Sequence, residues 1–319
     1  MATIIPSLST AQIAALSTAS IARLTTEDWA AFSTAQIVAL TTTQMVAIPV
    51  TRLAVLNATQ IAALQTADLR ALTTPQFAYL GTHQLNALTS TQVAALTTTQ
   101  VAAMTTAQIS RLSTDNLTAL TTAQYAVMTA TQVSKLTTAQ AAALESQDVA
   151  ALNVTSFRSI AAASLAKLST DAVQALTTAQ VAVLNATQVA ALTTAQIGAM
   201  QSTDLRALSV SNVALLSTAQ VAAMTTEGVA ALTTAQFQAL ASAQVRALTT
   251  DQVTALSAAQ LNAMRVTSLQ ALTTAQLAAL ESQQISALST SQLLLLSTAQ
   301  VAGLTTDDLR ALTTTQFSK

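Results

Sequence analysis

Hydrophobic and polar positions recur every eight residues from Leu8 to the end of the chain. The stretch begins LSTAQIAA, LSTASIAR, LTTEDWAA, and the register continues without a break through residue 319. When the octad positions are numbered 1 to 8, as in L-T-T-A-Q-V-A-A, positions 1 and 6 are apolar in all 39 octads. The sequence therefore predicts a lead-in over residues 1–7 and a single continuous repeat array over residues 8–319, without a linker.

The octad pattern fits neither one long helix nor a strand. Eight residues at 100° each leave a drift of about 80° per repeat, so positions 1 and 6 would spiral around one long helix. A strand would need period-2 alternation, which the octad lacks, and Ala, Leu and Gln are good helix formers. The octad therefore predicts an all-α fold with one very short helix, over about positions 3–8, in every repeat.

The polar positions indicate where each helix begins. Ser or Thr at position 2 with Gln at position 5 matches a capping box, and positions 1 and 6 match a hydrophobic staple, as in Leu120, Thr121, Gln124 and Tyr125. All 13 acids lie at positions 2, 4 or 5, which suits caps and the positive end of the helix dipole. Ten of the 12 bases lie at positions 7 or 8, Arg52 and Arg265 being the exceptions.

Helices this short depend on their neighbours. Isolated helices below about 12 residues are marginal in water, so positions 1 and 6 should pack against the same positions of adjacent coils. This predicts a solenoid of short helices. The octad does not fix the number of helices per coil. Three would give a 24-residue coil of triangular cross-section, and 13 coils at ~8–10 Å spacing would form a rod of about 100–130 Å.

Composition narrows the classes of function. The chain is 51% apolar and 8% charged, but its apolar runs, such as Leu293–Leu296, are far shorter than the ~20 residues of a membrane span. The start, MATIIPSLST, lacks the basic and apolar regions of a signal peptide. With no Cys and a net charge of −1, a disulfide scaffold, a thiolate metal site and nucleic-acid binding are not expected.

Residues that could carry chemistry are scattered. The single histidine, His83, lies at position 4 and belongs to no catalytic triad pattern. The pairs Glu27–Asp28 and Asp307–Asp308 are isolated and lack a calcium loop. Trp29 is expected to be a core residue. Core positions also hold side chains able to ligate haem iron: Met104, Met128, Met200, Met224, Met264 and Tyr125. We therefore expect no enzyme, no catalytic, cofactor-binding or metal-binding residues, and no small-molecule substrate.

The LTTAQVAAL-type octads of residues 8–319 resemble tracts of very large bacterial exoproteins that are often labelled as haem-utilisation or adhesion proteins. They also resemble a triangular short-helix solenoid that has been called the Toblerone fold. The resemblance implies three helices per coil and a secreted or cell-surface location, and it implies no catalytic residues. A lesser likeness to the LTPxQVVAI helix of TAL-effector repeats disagrees in both period and charge.

Two functions remain after these exclusions. The first is a structural spacer, or stalk, within a large secreted or cell-surface bacterial protein. The alternative is a surface rich in Ser, Thr and Gln that binds glycan, ice or a partner protein. The last octad, LTTTQFSK, is an ordinary repeat without a polar cap. This predicts a segment of a longer array, with end-to-end self-association through uncapped ends.

Overall fold

The computed structural model describes residues 3–318, and every regular element in that range is helical. A 3-10 turn at Ile5–Ser7 precedes 39 α-helices, and each octad contributes one of them. The helices are four to six residues long and begin at position 3 of the octad. The predicted all-α fold with one short helix per repeat is therefore confirmed.

The described residues divide into two compact units, one ending at Lys167 and the other beginning at Leu168. The first unit contains α1 (Thr10–Ala14), α2 (Thr18–Arg23), α3 (Thr26–Ala30), α4 (Thr34–Val38), α5 (Thr42–Ala47), α6 (Val50–Leu53), α7 (Ala58–Ala63), α8 (Thr66–Ala71), α9 (Thr74–Ala78), α10 (Thr82–Asn86), α11 (Ser90–Ala95), α12 (Thr98–Ala102), α13 (Thr106–Arg111), α14 (Thr114–Thr118), α15 (Thr122–Ala126), α16 (Ala130–Val133), α17 (Thr138–Ala143), α18 (Ser146–Ala151), α19 (Val154–Phe157) and α20 (Ala162–Leu165).

The second unit contains α21 (Thr170–Gln174), α22 (Thr178–Ala182), α23 (Ala186–Ala191), α24 (Thr194–Ala199), α25 (Ser202–Ala207), α26 (Val210–Ala214), α27 (Thr218–Ala222), α28 (Thr226–Ala231), α29 (Thr234–Ala239), α30 (Ser242–Arg246), α31 (Thr250–Thr254), α32 (Ala258–Ala263), α33 (Val266–Ala271), α34 (Thr274–Ala278), α35 (Ser282–Ser286), α36 (Thr290–Leu293), α37 (Thr298–Ala302), α38 (Thr306–Ala311) and α39 (Thr314–Phe317). That the two units form one continuous array stays a prediction from the unbroken octad register.

Helices pack against the helix three repeats away. In the first unit α12 packs on α9 and is covered by α15, and in the second unit α25 packs on α22 and is covered by α28. Because three octads separate stacked helices, each coil contains three helices and 24 residues. The three-helix coil implied by the resemblance is therefore the arrangement within each unit.

The core consists of the two apolar positions of the octad. Position 6 is at most 2% exposed from Ile5 to Ile285, and position 1 is at most 6% exposed from Phe32 to Leu288. The position 6 side chain projects from the first turn of its helix, and the position 1 side chain projects from the connection before that helix. Both pack between successive coils, so the coils of each unit are stacked through an apolar interior.

Candidate functional site

Between stacked coils lies a row of buried glutamines. The Gln at octad position 5 is only 2–5% exposed in most interior repeats, as at Gln76, Gln124 and Gln236. Burying an amide without hydrogen-bond partners is costly, so its polar atoms must be satisfied within the protein. The sequence accounts for one partner, the N-cap of the same helix, and the structure supplies the others.

Gln76 shows the arrangement in full. Its Oε1 accepts from the backbone N–H of Thr73, with an N···O distance of 2.8 Å, and Gln76 N–H donates in return to Thr73 Oγ1. Its Nε2 donates to carbonyl oxygens of the preceding coil, at 2.9 Å from Met45 and 2.7 Å from Ile48. One amide therefore connects the start of α9 to the connection between α5 and α6. We call this set of contacts the glutamine joint.

The glutamine joint solves a problem that very short helices create. A helix leaves its first N–H and last C=O groups without partners inside the helix, and each buried unsatisfied group costs about 1–3 kcal/mol. The Gln amide has one acceptor and two donors, which fit one cap N–H and two carbonyls of the coil before. The joint recurs in both units, with Nε2 of Gln124 at 2.7 Å from Leu96 O and Nε2 of Gln236 at 2.8 Å from Leu208 O.

The contact between coils was missed from sequence, although a signal for it exists. A capping box accepts Glu as readily as Gln at its last position, yet position 5 contains 25 Gln and no Glu. Glu supplies the acceptor that the cap needs but no donor for the carbonyls of the preceding coil. The preference for Gln over Glu therefore indicates a second partner that accepts hydrogen bonds.

Several shorter side chains at position 5 keep the donor. Asn116 Nδ2 lies 2.8 Å from Leu85 O, and Asn212 Nδ2 lies 2.7 Å from Leu184 O. Ser156 Oγ donates to Met128 O at 2.6 Å. Each of these residues binds a carbonyl in the preceding coil without accepting from its own N-cap N–H. At these three sites the link between coils therefore persists although the capping function of position 5 is lost.

Asp68 and Asp204 occupy the same position without a donor. Their side chains are buried, and the Oδ2 atom of each has no hydrogen-bond partner. Burial raises the pKa of both carboxyls to about 6. The expectation that caps and the helix dipole account for all the acids is wrong for these two. Neither accepts a cap hydrogen bond, and the N-cap residues, Gln65 and Gln201, donate to the preceding coil instead.

The other acids at position 5 keep a capping role. Asp28 and Asp308 accept from the backbone N–H of an N-cap threonine, at 2.8 and 2.9 Å. Hydrogen bonds to Thr3 and Thr25 hold the pKa of Asp28 below its usual value. Asp148 accepts weakly from Glu145 N–H at 3.3 Å, and burial raises its pKa to about 6.

The haem-ligand candidates lie apart from one another. His83 is exposed on α10, and the five methionines at position 1 are buried among aliphatic core residues. The hydroxyl of Tyr125 donates to Leu117 O at 2.7 Å. Trp29 stacks on Phe32 with ring centroids 4.8 Å apart, and its Nε1 lacks a partner. The structure does not bring these side chains together into a site.

The paired acids are separated by their own partners. Asp307 forms an exposed ion pair with Arg310 at 3.5 Å, whereas Asp308 also accepts from Ser282 Oγ in the preceding coil. Among residues 3–318, no group of three or more His, Asp or Glu side chains is placed to hold a metal ion.

The outer surface presents hydroxyl and small apolar side chains. A shallow, open depression crosses α2, α5 and α8, and its lining consists of Thr18, Thr42, Thr43, Val46, Ala47 and Ala71. These residues supply hydroxyls and methyl groups but no charge. In the described range, no helix has both the length and the apolar character needed to cross a bilayer.

Comparison with known proteins identifies the repeat. No curated protein matches the chain. The family model described as the ALTTAQ repeat matches residues 61–98, 173–202, 197–234, 229–266 and 259–290. The matched segments lie in both units and contain the octads that build the glutamine joint. These segments are therefore similar to the ALTTAQ repeat, and the chain is a repeat protein of short helices.

Proposed function

We propose that the chain is a structural spacer, or stalk, within a large secreted or cell-surface bacterial protein, and that it catalyses no reaction. The glutamine joint is the observation that carries this proposal. The glutamine joint recurs in both units, and in each unit the buried position 5 amides link one coil to the next. The resemblance of the octads to bacterial exoprotein tracts supports the proposed location.

A spacer built in this way gains length in equal steps. Within each unit, helices pack on the helices three repeats before and after them, so stability and length should be close to sums over repeats. Every added set of three octads reproduces the same joint and the same two apolar positions. Such a design suits a protein part whose task is to hold other parts at a distance.

Removing one complete coil tests the spacer. Deletion of residues 88–111, which are three octads, should leave the helix content per residue unchanged and shorten the particle by about 8–10 Å. Small-angle X-ray scattering would measure the maximum dimension. The matched control deletes residues 88–91, half an octad, and should disrupt folding because positions 1 and 6 leave the core. An unchanged dimension after the full deletion would contradict the spacer.

The proposed location needs a separate measurement. Antibody raised against residues 8–319 should detect the protein in the medium or on the surface of intact producing cells. Protease added to intact cells should remove the surface signal while an intracellular marker protein stays whole. Detection only after the cells are broken would overturn a secreted or surface location and would leave the spacer role untouched.

We further propose that two copies of the array of residues 8–319, taken by itself, associate head to tail. The coil of α37, α38 and α39 has no coil packed on its outer side in the described residues. Val301, Leu309 and Phe317, which hold position 6 there, are 47%, 40% and 69% exposed. They line an apolar depression together with Leu296, Leu304 and Leu312. The same positions are buried in interior coils, so this face is one half of the interface that coils form within each unit.

The N-terminal coil of a second copy supplies the other half. Gln12 and Ser20 hold position 5 in α1 and α2, and both are exposed. In interior coils Gln at this position donates to position 1 carbonyls, and Ser can do so too, as Ser164 does to Leu136 at 2.8 Å. The carbonyls of Leu304 and Leu312 are the corresponding acceptors on the open face.

Sedimentation velocity over a range of concentrations tests this association. The average mass should rise with concentration, and the double substitution Val301→Lys with Leu309→Lys should abolish the rise. Leu215→Lys is the matched control, because Leu215 is 54% exposed directly after α26, inside the array. A chain that stays monomeric, or a double variant that associates like the unaltered protein, would contradict the proposal.

A further inference from the structure

At two buried position 5 sites, a carboxyl group that caps no helix stands where most octads place a hydrogen-bond donor. We infer that Asp68 and Asp204 are proton-operated latches: each takes up a proton from water on mild acidification, and its O–H then donates to a carbonyl of the preceding coil. The ligand that binds at each of these two carboxyls is a proton. Its uptake neutralises the carboxylate and restores the link that Gln forms elsewhere.

The register of the repeat identifies the carbonyls involved. The Gln of a given octad donates to position 6 four octads earlier and to position 1 three octads earlier, as Gln76 does to Met45 and Ile48. For Asp68 the corresponding acceptors are Ile37 and Leu40. In the described residues, Leu40 O accepts no hydrogen bond, and Asp68 Oδ2 has no partner. Asp68 Oδ2 and Leu40 O, both without partners, therefore occupy the places that the Gln side chain and its carbonyl acceptor hold in a glutamine joint.

The same arrangement recurs in the second unit. The acceptors that correspond to Asp204 are Val173 and Leu176, and Leu176 O accepts no hydrogen bond in the described residues. Asp204 Oδ2 also has no partner. Both sites carry a glutamine at the N-cap, Gln65 or Gln201, which donates to position 7 of the preceding coil instead. The substitution of position 5 is thus accompanied by the same substitution of position 2.

Asparagine shows that a side chain of this length reaches the carbonyls. Asn116 and Asn212 occupy position 5, and each donates to the preceding coil at 2.8 or 2.7 Å. A protonated aspartic acid has nearly the shape of asparagine and presents one O–H donor. A carboxylate presents only acceptors to the carbonyl oxygens. Protonation therefore converts an unfavourable contact into the hydrogen bond seen at the asparagine sites.

The surroundings of both carboxyls contain little charge. The helices packed against α8 are α5 and α11, neither of which contains a charged residue, and α8 itself adds only Arg70. The helices packed against α25 are α22, which is uncharged, and α28, which contains the exposed Glu227. Asp171 on α21 is exposed as well, and α25 adds only Arg206. Desolvation is therefore the dominant influence on both groups.

The direction of the pH effect follows from the pKa. Burial raises the pKa of each carboxyl from 3.8 to about 6 in the folded protein. A raised pKa means that the folded state binds the proton more tightly than the unfolded chain. The stabilisation is complete below the unfolded pKa and is lost as the pH rises through about 6. Mild acidification should therefore stabilise the contacts between coils at Asp68 and at Asp204.

Hydrogen exchange of the full chain at pH 5 and pH 7.5 tests the latches one at a time. After correction for the intrinsic exchange rate, protection of the amides of α8 and α25 should be about tenfold higher at pH 5. Asp68→Asn should remove the pH dependence at α8 and leave it at α25, and Asp204→Asn should do the reverse. Each variant is thus the control for the other, and Asp115→Asn, at an exposed position, should change neither.

Nuclear magnetic resonance keeps the inference testable if a variant fails to fold. With carbon-13 in the aspartate carboxyls, three resonances should titrate near pH 6 in the unaltered protein, those of Asp68, Asp148 and Asp204. One should disappear in Asp68→Asn and another in Asp204→Asn, and the Asp148 resonance should remain in both variants. Titration of both Asp68 and Asp204 at or below pH 4 would overturn the inference. Equal pH dependence of exchange in the unaltered protein and in both variants would do so as well.

Discussion

The consecutive helices α8 and α9 differ in how they are joined to the coil before them. In α9, Gln76 caps its own helix and donates to the preceding coil, whereas in α8 the buried Asp68 does neither. Gln65 at the α8 N-cap supplies one hydrogen bond to Val38 O at 2.6 Å. Both helices form and both bury their position 6 side chain. The position 5 side chain is therefore not needed to make a helix, and its role lies between coils.

Placing a negative charge in the α9 joint should have the largest effect. Gln76→Glu keeps the cap acceptor but replaces the donor with a buried carboxylate facing carbonyl oxygens. We expect a loss of about 3–5 kcal/mol in the free energy of local unfolding at pH 7.5, because an uncompensated buried charge is costly. Hydrogen exchange of the α9 amides would measure it, and the loss should shrink at pH 5 as the acid becomes protonated.

The control for this change lies in the first coil. Gln12 is exposed and forms a capping box with Ser9, and its Nε2 donates to no carbonyl among residues 3–318. Gln12→Glu should change local stability by less than about 1 kcal/mol, because exposed charges remain hydrated. Equal losses at the two positions would show that position 5 acts only within its own helix, contrary to the comparison of α8 with α9.

Adding a methyl group at position 5 of α28 should have an intermediate effect on stability. Gly228 occupies position 5 of α28, and a Cβ there would lie 2.5 Å from Leu205 Cδ1 in α25. Gly228→Ala should therefore cost about 1–3 kcal/mol through overpacking, despite the better helix propensity of alanine. Thermal or urea unfolding followed by circular dichroism would detect the change.

Gly303 provides the comparison for the methyl group. A Cβ at Gly303 would have no neighbour closer than 3.4 Å, in ordinary van der Waals contact. Gly303→Ala should be neutral or stabilising by about 0.5–1 kcal/mol, since glycine loses more backbone entropy on folding. If both alanine variants were stabilised, helix propensity would outweigh packing between coils at position 5.

Removing the cap hydroxyl of α9 should have the smallest effect. Thr73→Ala deletes the acceptor for Gln76 N–H, but Gln76 Oε1 can still accept from the N-cap N–H. Ala241 has this arrangement naturally, with its N–H 2.6 Å from Gln244 Oε1. We expect a loss near 0.5–1 kcal/mol in the free energy of unfolding measured by urea denaturation. A loss as large as that of Gln76→Glu would make the cap, rather than the joint, the main contribution of position 5.

The sequence predicted correctly the features that depend on residues close to one another along the chain. The helix starts followed from Ser, Thr and Gln at fixed spacing, since a cap depends on residues three apart, as between Thr73 and Gln76. The burial of positions 1 and 6 followed from their apolar character in every octad. The joint between Gln76 and Ile48 was not predicted, because its partners are 28 residues apart and the octad alone does not say which coil lies next to which. The burial of Asp68 was missed for the same reason.

The sequence by itself determined the register, the helix starts and the residues of the core, because caps and apolar periodicity act over a few neighbouring residues. Only the tertiary structure decided that helices stack three octads apart and that the position 5 amide faces the carbonyls of the coil before. That contact depends on which octads stack, and every octad carries nearly the same pattern. The same stacking makes Gln76 a link between coils and leaves Asp68 a buried acid without a partner.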